Sequence, residues 1–224
     1  MSRPRREPGP EDLVRAARAS GVTDERLLRA LQATPRSAFV PASHRASAYA
    51  DTPVPIGHGQ VTTQPSLVAM MVAALGLTGD ERVLEIGSGH GFQTALLARL
   101  AAYVVGVERW ADMVEQARAN LAGQGVENAE VVVGDGTLGM ADRAPFDAIV
   151  ISAAFPEVPP PPAAQLRPGG RLVQPIGPGG RERVELYEKS ERGLVRRRTV
   201  AHACFVRLHG AYGYPPTAPF EDAD

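Results

Sequence analysis

A chain of 224 residues with a formal net charge of −1 has the length for one moderately sized domain with a substantial core. It has no global basic field to mark nucleic acid or an anionic membrane as partner, and its single cysteine, Cys204, excludes an intramolecular disulfide and fits a reducing compartment. No apolar run approaches the roughly 18 residues of a membrane span, and the arginine-bearing N-terminus lacks the apolar stretch of a secretory signal, so a cytoplasmic protein is expected.

Residues 1–10 are charged and proline-rich and read as a disordered lead-in. From 11 to 33, Leu13, Ala16, Ala17, Val22, Leu27, Leu28 and Leu31 mark two short amphipathic helices broken near Gly21, the second capped by Asp24. Residues 35–64 lack sustained periodicity and carry more prolines and turn residues than a helix accepts. An irregular stretch of that length inside a domain is functional or disordered. Its Phe39, Val40, Tyr49, Val54 and Ile56 argue against disorder.

Regularity begins at Pro65, a residue suited to the first position of a helix. Leu67, Val68, Met71, Val72 and Leu75 then repeat at helical spacing until Gly76. Strands are expected at 82–86, 104–107, 129–133 and 147–152, and helices at 92–101 and 111–122. This alternation predicts an α/β, doubly wound, mostly parallel sheet covered on both faces. Prolines 159–162 can open a short helix through Leu166, and the Pro168-Gly169-Gly170 turn leads into a strand at 171–175. Segments 184–189, 194–200 and 203–208 read as further strands, with a hairpin at 189–193, giving a C-terminal antiparallel region. Cys204 then reads as a small buried residue of the last strand. Arg196-Arg197-Arg198 reads as a solvated edge that discourages pairing.

Three features fall at the carboxyl ends of successive strands, where open α/β sheets bind ligands. The first is Val83-Leu84-Glu85-Ile86-Gly87-Ser88-Gly89-His90-Gly91, a buried strand running into a glycine turn and then a helix. The second is Glu108, placed to bind ribose hydroxyls. The third is Gly134-Asp135-Gly136, where a carboxylate and turn amides can meet an adenine edge. In register they point to an adenosine-type cofactor. The spacing is G-x-G-x-G and not the dinucleotide G-x-G-x-x-G. A pyrophosphate wants amides with no carboxylate beside it, whereas the ammonium and sulfonium of S-adenosylmethionine are favoured by Glu85. Glu85 also reads as a structural carboxylate on the turn amides.

These blocks, with others before them, resemble the protein-L-isoaspartate O-methyltransferase family from about Ala30 to Gly213. Arg36-Ser37-Ala38-Phe39-Val40-Pro41 resembles its R-x-x-F-V-P. Ala48-Tyr49-Ala50-Asp51-Thr52-Pro53-Val54-Pro55-Ile56-Gly57 resembles A-Y-x-D-x-P-L-P-I-G, and Gly59-Gln60-Val61-Thr62-Thr63-Gln64-Pro65 resembles G-Q-T-I-S-x-P. Val107-Glu108-Arg109, 144–149 and 166–173 complete the ordered set. The glycine turn is shared by many methyltransferases; the specific part is 35–65, which the family uses over its active site.

The resemblance implies a Rossmann-like class I S-adenosylmethionine-dependent methyltransferase fold. It implies a single domain over 11–224, with N-terminal helices and active-site segment at 11–64 and the core at 65–213. It assigns cofactor binding to Thr62, Glu85, Gly87, Ser88, Gly89, Gly91, Glu108, Arg109, Gly134, Asp135 and Gly136. The catalytic position falls on Thr63, where the family has serine. Threonine keeps the hydroxyl while adding a methyl and stiffening χ1. The family's V-P-L-T-like end is Val206-Arg207-Leu208-His209 here, so the substrate-side wall differs too.

The implied acceptor is the free α-carboxylate of an L-isoaspartyl residue in a damaged peptide. It is already ionised at neutral pH, so no general base is required and the task is alignment for in-line displacement. Thr63 would orient the carboxylate, S-adenosyl-L-homocysteine would be the product, and the methyl ester would close to a succinimide without the enzyme. His58 and His90 flank the site and read as turn or surface residues. Scattered histidines without ligand spacing predict no metal. A monomer acting on isoaspartyl peptides and proteins, with no nucleic acid or membrane partner, is expected. A base-amino methyltransferase is disfavoured because Ser152-Ala153-Ala154-Phe155 stands where that chemistry places Asp/Asn-Pro-Pro-aromatic. A relative tailoring one aspartate of a precursor peptide and a noncatalytic donor-binding module remain open alternatives.

Overall fold

The computed structural model describes residues 8–215, so most of the expected lead-in at 1–10 lies outside the described residues. Its last residue already begins helix α1 (Pro10–Ala19), with Pro10 in the first turn and the Asp12 carboxylate accepting from Gly9 N at 2.8 Å. Helix α2 (Glu25–Gln32) starts at the expected cap: Asp24 accepts from Arg26 N and Leu27 N at 2.8 and 3.2 Å. Short 3₁₀ turns follow at Arg36–Ala38 and Ala42–Ser47. The irregular segment then forms an antiparallel hairpin that the proline content concealed, β1 (Val54–Gly57) and β2 (Gln60–Thr62).

Helix α3 (Pro65–Leu75) ends at Gly76 in the left-handed region. It is apolar on nearly every side and buried accordingly, between α1 and the central sheet. Its first turn is capped from a distance, because the Asp51 carboxylate accepts from Ser66 N at 2.8 Å. Next come β3 (Arg82–Ile86), α4 (Phe92–Ala98), β4 (Tyr103–Glu108), α5 (Ala111–Gly123), β5 (Ala129–Val133) and β6 (Phe146–Ile151). The chain closes with α6 (Pro160–Gln165), β7 (Leu166–Ile176), β8 (Glu182–Ser190) and β9 (Gly193–Ala203).

The seven-stranded sheet runs β5-β4-β3-β6-β7-β8-β9. Its pairs are parallel from β5 to β7 and antiparallel from β7 to β9. Alternation divides the core in two. Val83, Val104, Ala148 and Val150 join α1–α5 on one face, and Leu84, Val105, Ile149 and Leu172 pack on the other. Strand order turns back between β3 and β6, which opens a crevice at the carboxyl ends of those strands.

Two C-terminal expectations are corrected. Residues 204–208 form no strand; they meet Ala154 through an isolated parallel bridge at Arg207. Cys204 is exposed, with its Sγ donating to the Gly180 carbonyl at 2.7 Å, because no further strand covers that side. The arginine run does lie on the edge strand, where Arg196 pairs with Glu185 at 2.8 Å and Arg197 with Glu188 at 3.1 Å. Among the described residues no helix is long and apolar enough to cross a membrane.

Candidate active site

A cleft opens at the crevice, lined by the carboxyl ends of β3 and β4 and the loops after β3, β5 and β6 on one side and by residues 39–63 on the other. Gly87, Gly89 and Gly91 all take positive φ, at 84°, 53° and 90°. A Cβ on Gly89 would stand 2.9 Å from Ile56 Cδ1, so the hairpin comes down on the turn only because the turn has no side chain there. Gly91 lies behind the cleft against Ala117 and Leu121 and sets the entry to α4.

Glu85 is fully buried and lines the cleft. One carboxylate oxygen accepts from Gln93 Nε2 at 2.9 Å and the other from Thr94 Oγ1 at 2.5 Å. No cation pairs with it among the described residues. Burial pushes its pKa up to about 7 against those two hydrogen bonds, with the nearby Glu108 carboxylate adding to the rise. Glu108 ends β4 and accepts from Gly89 N at 3.0 Å, Arg109 N at 2.7 Å and Trp110 N at 3.3 Å. Burial raises its pKa as well. The carboxylate thus ties the first glycine turn to the second strand end.

Thr62, Thr63, Ser88, Arg109, Gly134 and Gly136 also line the cleft. Asp135 does not join them. Its carboxylate accepts from Thr137 N at 2.8 Å and Ala211 N at 2.7 Å, fastening its own loop to the C-terminal segment. It forms an Asx turn.

The wall opposite the glycine turn is organised by a residue the sequence did not single out. Arg36 is fully buried and reaches the carbonyls of Ala48 and Ala50 at 3.1 Å, of Thr52 at 2.9 Å and of Thr63 at 3.3 Å. It also donates to Thr62 Oγ1 at 2.6 Å. Its position at the head of R-x-x-F-V-P was the available signal; nothing local says that a guanidinium there will gather residues 48–63. The Thr63 hydroxyl, by contrast, has no hydrogen-bond partner among the described residues. Val206, Arg207, Leu208 and His209 complete this wall.

His90 is half-buried in the cleft, and burial holds its pKa below the ordinary imidazole value. Its Nδ1, Ser88 Oγ and Gln93 Oε1 are buried polar atoms without partners among the described residues. Such atoms are costly unless a ligand meets them. A cleft with two buried carboxylates, orphaned polar atoms and a glycine turn that lets backbone come close suits a ligand that is cationic and hydrogen-bonding. The residues present therefore fit S-adenosylmethionine.

The chain is similar to known proteins. A family model described as Protein-L-isoaspartate(D-aspartate) O-methyltransferase matches residues 9–213. The chain is 50% identical over 198 residues to the protein-L-isoaspartate O-methyltransferase of Methanoculleus marisnigri, covering 88% of this chain and 89% of that one. It is 51% identical over 160 residues to the protein of the same name from Myxococcus xanthus, covering 71% and 76%. A solved protein-L-isoaspartate O-methyltransferase superposes with a TM-score of 0.78 at 30% identity, covering 91% of this chain and 67% of that one. A Plasmodium falciparum structure of that description, in complex with S-adenosyl-L-homocysteine, shares the fold at a TM-score of 0.78 and 22% identity, covering 91% and 99%.

Proposed function

We infer that this chain, which belongs to the protein-L-isoaspartate(D-aspartate) O-methyltransferase family, is a protein-repair carboxyl methyltransferase. It moves a methyl group from S-adenosylmethionine to the free α-carboxylate of L-isoaspartyl residues in damaged proteins. The observation that carries this reading is one cleft holding both an unpaired, buried Glu85 and the free hydroxyl of Thr63. The first suits a cationic donor and the second an anionic acceptor.

When bound, S-adenosylmethionine supplies an electrophilic methyl carbon on a cationic sulfur, and S-adenosyl-L-homocysteine is the product. Glu85 is assigned to the donor's cationic part and Glu108 to its ribose, with Gly87, Ser88, Gly89, Gly134 and Gly136 leaving room for its backbone-side approach. Thr63 donates its hydroxyl to the acceptor carboxylate and orients it. The acceptor is ionised at neutral pH, so the protein's work is positioning and exclusion of water, with no proton to remove. The esterified residue then closes to a succinimide as the neighbouring backbone nitrogen expels methanol. The lone cysteine fits action in a reducing compartment such as the cytoplasm, and the chain is read as a monomer acting on protein substrates.

The test uses S-adenosylmethionine labelled on the methyl group with matched isoaspartyl and aspartyl peptides. Base-labile label on the isoaspartyl peptide alone is expected. No label on either overturns the assignment, and label on the aspartyl peptide would replace repair by modification of normal aspartate.

A further inference from the structure

The turn joining β1 to β2 contains the non-glycine residue of the described chain with positive φ, His58 at 47°, set between Gly57 at 108° and Gly59 at 68°. A glycine would take that conformation without strain, so a histidine held there asks for a compensating contact. Two are present. The imidazole stacks on Trp110 with ring centroids 4.0 Å apart and planes 8° from parallel. Its Nε2 stands 3.0 and 2.9 Å from the two oxygens of Asp112, on the first turn of α5.

These contacts bridge two parts of the cleft. Ile56, Gln60, Val61 and Thr62 of the hairpin line it on one side, and Trp110 lines it beside Glu108. His58 itself is not a lining residue; it joins residues that are. We propose that His58 is a positioning residue for the methyl-donor compartment, clasping the hairpin to Trp110 and Asp112 so that both walls are held at the spacing the donor requires. This rests on the donor-site reading above.

The stack carries most of the clasp, because the Asp112 pair is exposed and such pairs are weak. The pair sets the direction of the ring. The charged and titratable groups around it are Asp112, whose pKa is lowered chiefly by the hydrogen bond from His58, Arg109, whose guanidinium lies 4.7 Å from the Trp110 ring centre, and His90, which feels the Asp112 charge.

Trp110 is the sole tryptophan of the chain, so its emission reports the clasp directly. A parallel ring in contact with the indole shields it from solvent, and loss of that ring should change the Trp110 emission. His58→Asn tolerates positive φ while removing the ring; it should shift the Trp110 emission maximum and raise the Kd for S-adenosyl-L-homocysteine about fivefold. The KM for the donor should rise in parallel with kcat little changed, and His58→Phe, which keeps a stacking ring, should restore most of the affinity. An unaltered Trp110 emission in His58→Asn, or an unaltered Kd, overturns the clasp. Failure of the wild type to bind S-adenosyl-L-homocysteine at all would instead remove the donor-site reading on which the clasp depends.

Discussion

Arg36 donates from Nη2 to the hydroxyl of Thr62 at 2.6 Å, and the same nitrogen reaches the Thr63 carbonyl at 3.3 Å. Two adjacent threonines thereby receive different tasks. The Thr62 hydroxyl is held by a buried guanidinium and returns a 3.3 Å bond to the Thr63 carbonyl; the Thr63 hydroxyl is left to the cleft. Burial lowers the Arg36 pKa to about 10, with the Asp51 charge opposing the shift, so the residue stays cationic at neutral pH. Arg36→Met should leave carbonyls 48, 50 and 52 without their donor and cost about 3 kcal/mol. Thermal unfolding should show a Tm lower by roughly 6–12 °C.

Thr62→Val and Thr63→Val should separate stability from turnover. The first removes an acceptor from Arg36 and should cost about 1 kcal/mol of stability. The second should lower kcat/KM for an isoaspartyl peptide by roughly 10- to 100-fold while sparing stability and donor affinity. An unchanged rate in Thr63→Val would remove its hydroxyl from the reaction.

Donor-site affinity should depend on pH through Glu85. Its pKa of about 7 in the ligand-free protein means that below neutrality the group holds a proton that a cationic ligand must displace. The affinity for S-adenosyl-L-homocysteine, whose ammonium remains charged, should fall by up to about tenfold per pH unit below 7. Glu85→Gln should flatten this profile in calorimetric titrations. The ligand-free protein's stability runs the other way. Because the folded value lies above the ordinary 4.5, the contribution of protonated Glu85 is complete below 4.5 and is lost as pH rises through 7.

Glu108→Ala should weaken both the site and its frame. The carboxylate receives three backbone amides, from Gly89, Arg109 and Trp110, besides facing the cleft. Removing it should raise the Kd for the donor at least tenfold and lower stability by about 2 kcal/mol. Glu108→Gln, which keeps an acceptor oxygen, should recover more of the stability than of the affinity.

The regular elements were legible because each carries its own signal. β3 and β5 fall where alternating or continuous apolar residues place them, and α3 ends at Gly76 because a left-handed cap there suits glycine. The hairpin at 54–62 was not legible: Pro55 masks the strand, and its pairing depends on residues spread from 36 to 64. Cys204 was misplaced for a related reason. An apolar segment reads as a strand, but without a neighbouring edge to pair with it remains a loop.

What the sequence by itself determined was the alternating α/β order, the glycine turn with its adjacent carboxylate, and the family to which those blocks correspond. These are local properties, set by periodicity, backbone permissiveness and the charge of neighbouring side chains. Only the tertiary structure decided which polar groups are free to act. Asp135 lies in the right motif yet spends its carboxylate on Thr137 and Ala211, while Arg36 lies far from the glycine turn and shapes the opposite wall. A buried hydrogen-bonding group acts through whichever partners burial brings to it, and that allocation is a property of the packed chain.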